Sequence, residues 1–178
     1  MKLLIFGASD SGTTTLARSL AQKLDCKHLD ADYYYWVKTP IPFQKKRFKS
    51  LRQAELQHDF STHQNVIVSG SLVTWSDYWQ TAFDLVVFLY LPPDIRLKRL
   101  QQREAERYGD ALLVDKRIQV TSKAFLAWAA QYDDPNFDGR SITQHRNWMK
   151  LLDYPVVELT GDLTNNEYME KVLAALTI

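Results

Sequence analysis

One cysteine, Cys26, in 178 residues leaves no internal disulfide and no cysteine-rich zinc site to build. Neither charge dominates: 22 Lys and Arg face 21 Asp and Glu, for a formal net charge of +1. Non-specific DNA binding needs a marked basic surplus and is not expected. No apolar run approaches the roughly 20 residues that cross a bilayer. The apolar part of "MKLLIFG" is too short for a secretory signal. The expectation is a soluble, cytoplasmic protein with no membrane partner; the lone thiol fits a reducing compartment. Repeats, low-complexity tracts and Pro/Gly/Ser-rich linkers are also missing, so residues 1–178 read as a single domain. His28, His58, His63 and His145 show no metal-ligand spacing. Ser69 lacks the Gly-x-Ser-x-Gly turn of a hydrolase nucleophile. Aromatics, by contrast, are plentiful: eight Phe, nine Tyr and five Trp. The sequence names no protein partner.

Short apolar runs alternate with helical patterns. Lys2 to Phe6 reads as a buried strand, and Thr13 to Leu24 as a helix with Leu16, Leu20 and Leu24 on one face. "CKHLD" and "NVIVSG" are further strands, the latter ended by Gly70. "DLVVFLYL", from Asp84, is apolar on both faces, as a central parallel strand is. Pro92 and Pro93 stop it, and a helix from about Asp94 to Tyr108 ends at Gly109. "PVVELTGD" is a fifth strand. Thr164 and Glu167 form a capping box before a last amphipathic helix. Such alternation argues for a parallel sheet covered on both faces. Two insertions interrupt it, one at about 33–60 and one, mostly helical, at about 110–152. In open α/β sheets ligands bind beyond the carboxyl ends of the strands, where both insertions begin or lie close.

"GASDSGTTTLARSL", between the first strand and first helix, is nearly a phosphate-binding loop. Gly7 and Gly12 hold the glycine positions and Thr14 the Ser/Thr position that contacts magnesium. Ser9 and Ser11 lie between the glycines, and Thr13 and Thr15 offer further hydroxyls. Backbone N–H groups and a helix N-terminus attract phosphate whatever the side chains. Two residues count against the reading. Thr13 stands where a lysine normally reaches the phosphates. One charge at about 4 Å is worth roughly 4 kcal/mol at an effective dielectric near 20, so another cation must replace it. Asp10 puts a carboxylate at the loop tip, although aspartate tolerates positive φ and its side chain is free to point to solvent. The alternative is an ordinary strand-to-helix turn that binds nothing.

The chain resembles the P-loop kinases of small molecules: the nucleoside monophosphate kinases, and shikimate kinase and its relatives. The resemblance covers nearly the whole chain. It rests on "GASDSGTTTLARSL", on the acidic pair in "HLDADYYYW", on "VIVSGS", and on "DLVVFLYLPPDIRLKRLQQRE", which is similar to the adenylate kinase pattern. A "GTTT" loop marks a subgroup of these kinases, so Thr13 need not be a damaged lysine. The resemblance implies a three-layer P-loop α/β fold with five parallel strands in the order 2-3-1-4-5 and helices on both faces. It also implies ATP with magnesium as phosphoryl donor and a small-molecule acceptor.

By the same resemblance, Arg99 and Arg103 match the arginines at the start of the lid, the first packing on adenine and the second contacting phosphates. The alternative is a solvated helix face on which Arg99 and Arg103 stand with Arg96, Lys98 and Arg107 as ordinary neighbours. Asp32 orients the acceptor hydroxyl or takes its proton, with Asp30 beside it; capping of the next segment is the simpler alternative. The insertion after Asp32 is the acceptor segment. There Tyr33 to Trp36 offer stacking, and Arg47 and Arg52 are candidates for an anionic group. Equally, Lys45, Lys46 and Lys49 lie on a solvated helix face while the aromatics pack on the sheet. Trp75 is either an acceptor wall or core. Arg140, before a helix that Ser141 caps, is the first candidate to replace the lysine. The leading function is ATP-dependent phosphoryl transfer to a small molecule, a nucleotide or nucleoside among the candidates. The alternative is a nucleotide-binding regulator or scaffold with little or no catalysis.

Overall fold

The computed structural model describes residues 1–176. Five parallel strands form one sheet: β1 (Lys2–Gly7), β2 (Lys27–Asp30), β3 (Val66–Ser69), β4 (Leu85–Tyr90) and β5 (Val156–Thr160). Their spatial order is β2-β3-β1-β4-β5, as the sequence resemblance implies. The helices are α1 (Thr13–Lys23), α2 (Ala31–Tyr35), α3 (Lys49–Thr62), α4 (Pro93–Tyr108), α5 (Ala111–Val114), α6 (Lys116–Ala130), α7 (Ile142–Met149) and α8 (Asn165–Leu176).

Alternation along each strand sends side chains to opposite faces. Leu3 and Ile5 of β1 join Leu16, Leu20 and Val172 in the layer under α1 and α8. Leu4 and Phe6 join Leu56, Phe60 and Trp148 under α3 and α7. Both faces are covered, which is why β1, β3 and β4 are unbroken apolar runs. The expected caps form. Thr164 and Glu167 bond reciprocally, with the Thr164 N–H 2.7 Å from Oε2 and the Glu167 N–H 3.3 Å from Oγ1. Ser141 Oγ accepts from the Gln144 N–H at 3.2 Å.

The first insertion is α2, an extended loop that turns back on itself through a Trp36–Lys46 bridge, and α3. The second is α5, α6 and α7: α6 and the segment after it form a lid that lines the cleft together with the phosphate loop, and α7 packs on the sheet through Trp148. Arg96 fastens that lid. It does not lie on a solvated face: its side chain is 0% exposed, and Nη1 and Nη2 donate to Ala129 O at 2.9 Å and Asp133 Oδ2 at 2.7 Å. No helix among the described residues is long and apolar enough to cross a membrane.

Candidate active site

The loop between β1 and α1 folds back on itself, the Ser11 N–H and Oγ both donating to Ala8 O, at 3.2 and 2.9 Å. Gly7 is sterically required, because a Cβ there would meet Leu89 O at 2.4 Å. Gly12 turns into the helix at φ 96°, which a side chain would resist. No side chain caps α1, so its first amides face outward with their partial positive charge. Thr13 and Thr14 line the cleft above them, as do Gly7 and Ser9. Ser11 is buried within the loop, and Thr15 is exposed outside the cleft.

β2 delivers the acidic pair. Asp30 caps α2, accepting from the Asp32 N–H at 3.0 Å with Oδ1. Its Oδ2 accepts from Thr14 Oγ1 at 3.2 Å. The simpler capping role and a role in the site therefore coexist in one side chain. Thr14 and Asp30 together suit a divalent ion that arrives with phosphates, since magnesium takes few protein ligands and keeps substrate oxygens and water. Among the described residues no cluster of His, Cys, Asp or Glu would hold a metal by itself.

Asp32 faces the same cleft of about 550 Å³. Desolvation by the cleft walls pushes its carboxyl above the usual carboxylate range, partly offset by the Arg140 guanidinium. Desolvation likewise lowers Arg140, and the Asp32 carboxylate counters it. Arg140 reaches from the lid to the phosphate loop, where Nη2 donates to Ser9 Oγ at 2.9 Å. Its guanidinium lies 5.0 Å from the centre of the Trp128 ring, which is stacked on Phe125. Arg103 approaches from α4 and donates to Asp10 Oδ1 at 2.8 Å. Asp10 does adopt a positive φ, 68°, but its carboxylate engages this arginine instead of pointing to solvent. Arg99 pairs with Asp162 and does not line the cleft.

The acceptor side is aromatic. Tyr35, Trp36 and Trp75 line the cleft, Trp75 also belonging to the core. Arg52 lies 3.9 Å from the Tyr35 ring centre and 5.1 Å from that of Trp75. It is 7% exposed and does not itself line the cleft; among the described residues no carboxylate pairs with it, and its Nε is buried without a partner. Arg47 is instead bound to Glu55 at 2.5 Å, away from the cleft. Sequence reasoning missed Lys46, Phe125 and Trp128 as cleft residues. Lys46 belongs to no helix: the returning loop carries it to Trp36. Phe125 and Trp128 stand on α6, which packs against α4 and whose Ala129 O accepts from the buried Arg96.

A five-stranded parallel sheet of this order, with a glycine turn feeding a helix at its centre, is a kinase-like P-loop fold of the nucleoside monophosphate and shikimate kinase type. Residues 3–120 match the AAA domain family AAA_18, and the chain belongs to that family. It is 41% identical over 173 residues to the uncharacterised protein YqaC of Bacillus subtilis (strain 168), covering 97% of this chain and 96% of that one. It is 29% identical over 117 residues to the cytidylate kinase of Archaeoglobus fulgidus, covering 60% of this chain and 63% of that one. A shikimate kinase from Bacteroides thetaiotaomicron shares the fold at a TM-score of 0.58 and 19% identity, over 99% of this chain and 98% of that one.

Proposed function

We propose that the protein transfers a phosphoryl group from Mg-ATP to a small acceptor that carries an anionic group. One observation carries this reading: in a loop that lacks its lysine, a lid arginine, Arg140, is docked on the loop through Ser9. The missing charge is thereby supplied from another element. The loop amides hold the β-phosphate, with Gly7, Ser9, Gly12 and Thr13 shaping the cradle. Thr14, with Asp30, would hold the magnesium, which would neutralise phosphate charge. Arg103 and Arg140 stabilise the transferring group.

Asp32 positions the acceptor hydroxyl and takes its proton as the new oxygen–phosphorus bond forms and the bond to the β,γ-bridging oxygen breaks. Its upward-shifted carboxyl makes it the better proton acceptor. Tyr35 and Trp75, with the Arg52 guanidinium packed against them, offer rings to a flat body such as a nucleotide or nucleoside, and Lys46, which lines the cleft, receives the acceptor's anion. Arg99 and Arg47, held by their own carboxylates, and Ser11 and Thr15, outside the cleft, serve the structure around the site.

The test is a calorimetric titration with Mg-ATP on the wild type and on Thr14→Ala, followed by ADP release across a panel of acceptors. Micromolar binding that weakens roughly tenfold in the variant, the scale of one strong hydrogen-bonding contact, supports the reading. Absence of heat up to millimolar Mg-ATP, with an unchanged melting temperature, overturns it. Binding without acceptor-dependent ADP release would favour a nucleotide-binding regulator.

A further inference from the structure

The chemistry above gives Asp10 no part, although Asp10 stands at the tip of the phosphate loop. Its φ of 68° is one that glycine adopts freely and other residues resist. Its carboxylate also lines a cleft fitted for polyphosphate, where like charges repel. Glycine would remove both penalties. In return, Asp10 Oδ1 accepts from Arg103 Nη1 at 2.8 Å and binds the loop to α4 across 93 residues of sequence. The Asp10 side chain is only 18% exposed and that of Arg103 36%, so the pair is partly shielded from water.

The rest of this guanidinium is uncommitted. Its Nε is buried without a partner, and no other described residue accepts from it. Two further carboxylates, Asp30 and Asp32, line the same cleft. The charge of Arg103 already reaches Asp32. Whichever carboxylate captures Arg103 decides where its planar fork lies. Capture by Asp10 keeps it at the phosphate loop, and Ser9 does the same for Arg140 at 2.9 Å.

We propose that Asp10 is a positioning residue that tethers Arg103 through Nη1 at the phosphate loop and leaves Nη2 to the polyphosphate. The inference rests on the phosphoryl-transfer reading. A loop that borrows its cations from α4 and the lid needs an acidic anchor at its tip, where a loop with its own lysine does not.

A double-mutant cycle read by Mg-ATP calorimetry tests it. Asn keeps the size of Asp and accepts a left-handed backbone, so Asp10→Asn removes the tether alone. With Arg103 present it is expected to weaken Mg-ATP binding by about three- to tenfold, within the coupling range of contacting residues. With Arg103→Ala already made, the same substitution is expected to tighten binding, because only repulsion is left to remove. An equal effect in both backgrounds overturns the proposal. So does tighter binding with Arg103 present, which would make Asp10 a lock. If Asp10→Asn melts early, Asp10→Gly, suited to positive φ, replaces it in the same cycle. A wild type that binds inorganic tripolyphosphate but not Mg-ATP would remove the donor reading alone, and the cycle is then read with tripolyphosphate by the same criteria. Binding of neither overturns both.

Discussion

Arg52 has two demands on it that pull in opposite directions. A guanidinium that is 7% exposed, with no carboxylate and with a buried Nε lacking a partner, is held at a cost to folding. The rings of Tyr35 and Trp75 recover part of that cost by cation–π contact. The substitution Arg52→Met keeps the volume and removes the charge. It is expected to raise the melting temperature by a few degrees, the equivalent of about 1 kcal/mol. It is also expected to raise the acceptor KM several-fold, because the guanidinium fixes the Tyr35 and Trp75 rings that line the cleft. Thermal melts and acceptor-dependent ADP release check the two effects separately. A lower melting temperature with an unchanged KM would make Arg52 an ordinary structural residue. The sequence marked Arg52 through its place in the acceptor segment. It gave no sign that Arg47, five residues earlier, is neutralised by Glu55, because that pairing depends on how the loop before α3 returns.

At the scale of elements, a fully buried side chain fastens the lid to α4. Arg96 of α4 holds Ala129 O of α6 and the Asp133 carboxylate, and lies 5.0 Å from the centre of the Tyr132 ring. Arg96→Ala leaves Ala129 O without its side-chain donor and Asp133, 23% exposed, with the Tyr90 hydroxyl at 3.0 Å, so the cost is at the lower end of a broken buried pair, about 3 kcal/mol. Hydrogen exchange is expected to rise in residues 116–133 well before it rises in β1 or β4. Uniform loss of protection across both regions would show that Arg96 supports the fold as a whole. The strands and long helices were legible because covered parallel strands are continuous apolar runs and because Pro93, Gly109, Ser141 and Thr164 punctuate the helices locally. The glycine turn was legible because backbone geometry restricts what Gly7 and Gly12 can be. Arg96, Trp128 and the Asp10–Arg103 pair were not. Arg96 and Arg103 take their meaning from partners far away on other elements, Ala129 33 positions on and Asp10 93 positions back, and Trp128 from facing the phosphate loop across the cleft. Charged residues on α4 follow the same helical periodicity whether they face water, lid or cleft.

The molecule as a whole joins sheet, lid and cleft through a single histidine. His145 of α7 is fully buried; its Nε2 is 3.0 Å from Ser71 Oγ, which follows β3 and lines the cleft. Its Nδ1 is 2.8 Å from the Tyr132 hydroxyl at the foot of the lid. Burial, reinforced by the Arg140 charge, pushes the imidazole down to about 3 from an ordinary 6.5. The unfolded chain therefore binds a proton at mildly acid pH that the folded chain refuses. Stability from this residue is fully present above pH 6.5 and falls as pH drops through the window between 6.5 and 3. Each pH unit in that window corresponds to about 1.4 kcal/mol at most, so roughly 2 kcal/mol is lost by pH 5. Carboxylates contribute their own acid sensitivity, so the informative quantity is a difference. His145→Gln, which retains groups for Ser71 and Tyr132, is expected to melt below the wild type at pH 7.5 and to lose less melting temperature between pH 7.5 and 5. Parallel melting curves for the two proteins across that range would mean that the imidazole takes up its proton without cost, and that the link between cleft and lid tolerates a charge at its centre.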